Sequence, residues 1–324
     1  ELPASEPAAD RLAQAIVSTS GPSGRVVFTY DCTTPPPCNG AGDVFQYTDS
    51  EGYTVIRVTG DCSSWTWNAP EGLDEFEVLV VGGGGGGGYG DAAGGGGGGA
   101  VIYQKYTGIN MNGSPGLQGA AFQVTPGGQG LGATDGNQQG GDGTASSFTG
   151  SAFGYAGGNT FADLNAAGGG GGGSSSSSPT YRAGRDGASG GGGAAFGGDT
   201  SGGGFASADG NEGGQAFTQG SSASGAGGGG ATTGGEDGSG DASLMSAGGG
   251  GNGVLYDISD DDVDYGAGGG GTSSGATVNE PGLGGSPYSD GASQFYAGGR
   301  GNNTGVGLPA TTYGSGGGAG RTGG

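Results

Sequence analysis

Short stretches of alternating or continuous apolar residues occupy the first quarter of the chain and then thin out. Residues 25–30, 44–48, 53–58, 64–67 and 75–81 each combine β-branched and aromatic side chains, and glycine, proline and aspartate separate them. That pattern predicts short strands joined by turns, hence a small all-β domain over residues 25–81. Trp65, Trp67, Phe45, Tyr53 and Phe76 are its expected core or sheet-face aromatics. Before it, residues 1–24 carry one apolar stripe, Leu12, Ala15, Ile16 and Val17. The stripe predicts either a short amphipathic helix folded back on its own domain or an extension adding a strand to another subunit. Leu12, Ile16 and Val17 are therefore the candidate assembly residues.

After Val81 the pattern changes. Glu75–Val81 runs directly into seven consecutive glycines, Gly82 to Gly88, and a second block, Gly94 to Gly99, precedes the apolar stretch Ala100–Tyr106. A strand ending in glycines invites a dinucleotide-binding reading, which needs the glycines to open a helix carrying phosphate at its N-terminus. Here Tyr89-Gly90-Asp91-Ala92-Ala93 and six more glycines follow. Each interior glycine costs a helix about 1 kcal/mol relative to alanine. Gln104 and Lys105 stand where an acidic ribose ligand belongs. No cofactor is expected.

Glycine blocks recur at 168–173, 190–193, 227–230, 248–251 and 268–271, without a fixed period. Only seven of the 94 glycines lie in residues 1–81. The high glycine content lacks collagen's strict triplet and its proline. Such a tract is either a flexible linker or an ordered array held by its backbone. Fixing a residue costs roughly 1–2 kcal/mol, and glycine has no side chain to offset it, so order must come from backbone hydrogen bonds at a net ~0.5–1.5 kcal/mol each. Extended left-handed helices packed side by side supply them, because their peptide groups point outward and only glycine permits such close approach. The expected fold is thus a small all-β domain joined to a polyglycine-II bundle over residues 82–324, with short strands and loops and little or no α-helix.

Charge narrows the function. Asp and Glu total 30 against 8 Lys and Arg, with no histidine, giving a formal net charge of −22. A polyanion repels nucleic-acid phosphates, and no apolar run is long enough to insert in a membrane. The start, Glu1-Leu2-Pro3, reads as a mature N-terminus after processing. Of three cysteines, Cys32 pairs with Cys38 or with Cys62 in an exported protein. Without histidine, and with a single lysine, catalysis is poorly supplied. The densest acidic stretch offers Asp257, Asp260, Asp261, Asp262 and Asp264 as a calcium candidate, against the plainer reading of a solvated acidic loop. Aromatics between the glycine blocks cap the blocks or form a recognition rim; Tyr256, Tyr265, Phe295 and Tyr296 are the candidate recognition residues.

The stretch Trp65-Thr66-Trp67-Asn68-Ala69-Pro70-Glu71-Gly72-Leu73, leading into Val78-Leu79-Val80-Val81-Gly82, resembles the glycine-rich domain of phage tail tip adhesins and bacterial surface proteins. Further matching stretches are Gly99-Ala100-Val101-Ile102-Tyr103, Phe122-Gln123-Val124-Thr125-Pro126-Gly127, Gly141-Asp142-Gly143-Thr144-Ala145-Ser146 and Ala166-Ala167-Gly168. The resemblance implies a polyglycine-II bundle, a cell-surface or virion-surface location, and binding or scaffolding without catalysis. Three functions follow as expectations. The first is a self-assembling filament or appendage subunit, a homopolymer contacting its copies through residues 1–24. The second is an adhesin for a cell-surface ligand, and the third, least compatible with the charge, is ice binding.

Overall fold

The computed structural model describes residues 15–17, 23–28, 44–48, 53–58, 64–69, 73, 75–109, 117, 120–241, 243–258, 263–285, 298–311 and 313–321. The first strands are β1 (Ala15–Val17), β2 (Ser23–Phe28), β3 (Val44–Thr48), β4 (Thr54–Val58), β5 (Trp65–Asn68) and β6 (Glu75–Val81). They are followed by β7 (Val101–Tyr106), β8 (Ala121–Thr125), β9 (Ser146–Gly150), β10 (Gly154–Tyr155), β11 (Asn159–Thr160) and β12 (Leu164–Ala166). One sheet has the order β3-β4-β2-β6-β7, with β1 also on β2; the second has the order β12-β9-β8-β5. Residues 15–17 pair antiparallel with β2 of their own chain, Ile16 opposite Val27 and Val17 opposite Val26. Residues 15–17 are thus strand and not the expected helix. The ladder is reached by a short return of the chain, which makes intrachain pairing the nearest solution.

The two sheets face each other across an aromatic core. Trp67, Phe76, Tyr106, Phe122, Phe148, Phe153 and Phe161 are all buried there. Phe122 stacks on Phe148 with ring centroids 4.9 Å apart, and Phe153 on Phe161 at 5.1 Å. Alternation along β6 sends Phe76, Val78 and Val80 into this core. Leu79 and Val81 point the other way, into a second cluster with Val55, Ile258, Tyr265 and Tyr313. Burial on both faces explains why β6 reads as a nearly continuous apolar run. Strands from both sides of position 82 share these sheets, since β6 pairs with β7 and β5 with β8.

Beyond the sandwich the chain is mostly short strands in small, largely antiparallel sheets, with almost no helix. These strands are β13 (Ala195–Phe196), β14 (Asp199–Thr200), β15 (Phe217–Gln219), β16 (Ser222–Ser224), β17 (Ser239–Gly240), β18 (Leu244–Ser246), β19 (Val254–Tyr256), β20 (Val263–Tyr265), β21 (Ser273–Ser274) and β22 (Val278–Glu280). Among the described residues the single α-helical turn is α1 (Pro179–Arg182), started by its proline.

Between these elements lie the glycine runs, which are neither strand nor α-helix. Their backbone hydrogen bonds join them to each other with a recurrence of three residues. Gly94, Gly97 and Ala100 donate to the carbonyls of Gly173, Gly170 and Ala167; Gly95 and Gly98 donate to Ala226 and Gly229; Gly96 and Gly99 donate to Gly317 and Gly314. In return, the carbonyls of residues 94, 97 and 100 accept from Gly88, Gly85 and Gly82, those of 95 and 98 from Gly192 and Ser189, and that of 96 from Gly269. Residues 94–100 are thereby enclosed by six other stretches of the same chain. Successive runs travel in opposite directions, so the chain shuttles up and down. The approach is close enough to require glycine: a Cβ on Gly96 would collide with the carbonyl of Gly85, and one on Gly97 with that of Ser189. Hydroxyls close the ends of runs. Thr272 Oγ1 accepts from Ala93 N–H at 2.8 Å and donates to the Gly90 carbonyl at 2.9 Å, while Ser146 Oγ links Gly127 N–H to the Val81 carbonyl.

Candidate functional surface

The up-and-down course leaves connections at two ends. At one end the runs meet the sandwich and the hairpin β19–β20. At the other, short hairpins touch each other in series and form a crown: β13 and β14 contact β16 and β15, β16 pairs with β21, and β18 pairs with β22. The hairpins are tight because glycines take left-handed backbone angles where the chain reverses. Gly197 (φ 60°) and Gly198 (φ 95°) separate the paired residues Phe196 and Asp199. Phe196 stands exposed at that tip, and Leu244 and Val278, in register across β18 and β22, are exposed beside each other. A cleft of about 380 Å³, lined by Thr200, Gln215, Phe217, Thr218 and Asp237, opens between the hairpins. Arg182 is buried beneath this end, its guanidinium donating to the carbonyls of Ser176 and Ser177 and pairing with Asp199 at 3.2 Å.

The flanks of the array are acidic for a structural reason. Outer runs lack a neighbour on one side, and carboxylates take the orphaned N–H groups. Asp142 Oδ1 accepts from Gly171 N–H at 3.0 Å, Asp186 Oδ1 from Phe205 at 2.7 Å, Asp237 Oδ1 from Gln215 at 2.6 Å and Glu236 Oε2 from Gly249 at 3.2 Å. The second oxygen of Asp142 pairs with Arg185. Charge-assisted acceptors suit exposed amide donors better than neutral ones. The sequence analysis missed this role; the available signal is a carboxylate beside glycine, as in Gly141-Asp142-Gly143 and Gly235-Glu236-Asp237-Gly238.

At the sandwich end, several of the residues expected to act together are separated by burial. Tyr265, expected on an exposed recognition loop, is fully buried and stacks on Tyr313 at 5.7 Å. Its ring is drawn inward because Val254–Tyr256 pairs with Val263–Tyr265, turning alternate residues of β20 toward the core. Tyr256 is half-buried and stacks on Tyr103 at 5.1 Å, and burial raises its hydroxyl pKa. Arg57 Nη2 donates to the Tyr313 hydroxyl at 2.6 Å.

The calcium candidates are likewise divided. Asp257 is exposed, whereas Asp264 is buried with its carboxylate against Gly253, and neither of its oxygens has a hydrogen-bond partner among the described residues. Burial pushes its pKa up to about 8; the neighbouring Tyr265 N–H opposes the rise without reaching hydrogen-bonding geometry. Asp260, Asp261 and Asp262 lie outside the described residues, as do Leu12, the three cysteines, Phe295 and Tyr296. Among the described residues no group of three or more His, Cys, Asp or Glu side chains is gathered for a metal. Nor is any helix there long and apolar enough to cross a membrane.

A family model described as a glycine-rich domain matches residues 59–286, from before β5 to beyond β22. No curated protein and no solved structure matches the chain.

Proposed function

We propose that this chain, which belongs to the glycine-rich domain family, is an extracellular, non-catalytic contact module in which a rigid polyglycine-II bundle presents a crown of hairpins to a cell-surface ligand. An extended helix of about three residues per turn sends consecutive peptide groups in three directions. That geometry accounts for partners that change with each residue along 94–100 and return at every third. Recognition side chains concentrate on loops held by a stiff scaffold. The carrying observation is that exposed Phe196, Leu244 and Val278 all sit on crown hairpins whose strands contact one another in series. The filament reading instead places residues 1–24 against another subunit; of these, residues 15–17 pair with β2 of the same chain.

The test compares the triple variant Phe196→Ser, Leu244→Ser, Val278→Ser with Tyr103→Ser at the opposite end, each checked for an unchanged melting temperature. Binding to intact cells and to a glycan array is expected to fall at least about tenfold for the crown variant only. Equal binding by both variants, or none by the unaltered protein, overturns the reading. Filaments seen by electron microscopy would favour self-assembly instead.

A further inference from the structure

The six-neighbour arrangement around residues 94–100 is not completed around residues 82–88. Gly82, Gly85 and Gly88 donate to the run 94–100, and Gly83 and Gly86 donate to Thr144 and Gly141. The carbonyls of residues 83 and 86 accept from Gly169 and Gly172, those of 84 and 87 from Gly130 and Ala133, and those of 85 and 88 from Gly317 and Gly320. The remaining direction belongs to the N–H groups of Gly84 and Gly87. Both residues are buried, and neither N–H has an acceptor among the described residues. They lie three residues apart, on the side of the run between residues 127–133 and residues 314–320.

That same position is bordered by the Gly318 carbonyl, which accepts no hydrogen bond among the described residues. The flanking stretches carry the exposed side chains of Leu131 and Leu308; the Leu308 carbonyl takes the Gly318 N–H. Unpaired buried amide donors are rare and call for an acceptor. At several other perimeter positions such a donor is closed by a side chain, as Asp142 closes Gly171. Among the described residues no side chain closes Gly84 or Gly87.

We propose that this sixth position is a docking site for an extended glycine-rich polypeptide segment. Carbonyls spaced three residues apart on the incoming segment take the N–H groups of Gly84 and Gly87, and one of its own N–H groups meets the Gly318 carbonyl. Two donors at a three-residue interval beside an acceptor match the pattern that every interior run presents to its neighbours. Glycine is required on the inward side of the segment because the surrounding backbones lie too close for a Cβ, as they do at Gly84 and Gly87 themselves. The exposed Leu131 and Leu308 border the outward side, where a larger residue at every third position fits. The site rests on the polyglycine-II reading of the runs.

The experiment follows amide hydrogen exchange by NMR in the intact chain, with and without the capped peptide (Ser-Gly-Gly)4, and with (Ser-Ala-Ala)4 as the control. The first peptide is expected to slow exchange at Gly84 and Gly87 by at least about tenfold, leaving Gly85 and Gly86 protected throughout. No slowing by (Ser-Gly-Gly)4, or equal slowing by the alanine peptide, overturns the docking site and assigns these two donors to water. Free exchange at Gly85 and Gly86 in the peptide-free protein would instead overturn the reading of the runs, so the two failures are told apart within one measurement.

Discussion

In the sandwich, order comes from side chains: Phe76, Phe122 and Phe148 fill the space between two sheets. In the glycine array it comes chiefly from peptide groups, and an interior run such as 94–100 is held by three sets of donors and three sets of acceptors. The sandwich tolerates approximate fit, since apolar burial is non-directional and scales with area. The glycine array has almost no apolar area to bury. Its net gain is the small surplus of each hydrogen bond over water, repeated many times, and its geometry leaves no room for a methyl group. The two halves should therefore fail in different ways.

The sharpest break is a single methyl in the array. Gly96→Ala places Cβ on the Gly85 carbonyl with backbone on every side, so it is expected to cost about 5 kcal/mol or more and to abolish cooperative melting of the bundle. Phe122→Ala in the sandwich removes far more atoms. It is expected to cost about 3–5 kcal/mol, because a side-chain core relaxes partly around a cavity. If calorimetry finds the alanine at position 96 the milder of the two, the contrast between the halves is wrong.

A third substitution probes the seam where they meet. The Asp264 carboxyl, raised to about 8 by burial, is favoured in its protonated form by the folded state. Stability from this group is fully present below its ordinary pKa near 4 and is lost as pH rises through about 8. Asp264→Asn is expected to flatten that dependence and to raise stability by several kcal/mol at pH 8, with little change at pH 4. Thermal melts across pH 4–9 measure it, and parallel curves for the two proteins would refute it. The smallest effect belongs to the perimeter. Asp142→Ala orphans the Gly171 N–H and should cost about 1–2 kcal/mol, with faster exchange at Gly171 and no change at Gly96. The exposed pair with Arg185 adds little to that figure, about 0–1 kcal/mol.

Legibility followed the same divide. Strands 44–48 and 75–81 stand in the sequence where the structure has them, and 54–58, 65–68 and 101–106 within a residue, because side-chain patterning and turn residues specify a sheet. Which glycine run lies beside which was not legible, since a residue without a side chain records no face. Only the polar residues at the run ends mark the register, as Thr272 and Ser146 do. Tyr265 was misjudged because its acidic neighbours suggest solvent, while the hairpin pairing that buries it is a long-range fact. The crown residue Phe196 was visible as an aromatic between glycine blocks; its alignment with Leu244 and Val278 required the packing of separate hairpins.

The threefold recurrence along the runs also sets a rule for how such a chain can change length. Adding one residue inside 94–99 would shift each later N–H by one step of that recurrence and aim it at the wrong neighbour. Adding three would restore every partner one step further along, provided the adjoining runs grew by the same amount. Insertions and deletions in triplets of residues, matched across the bundle, are therefore the changes such an array can absorb, while the hairpins at its ends are free to vary in any unit.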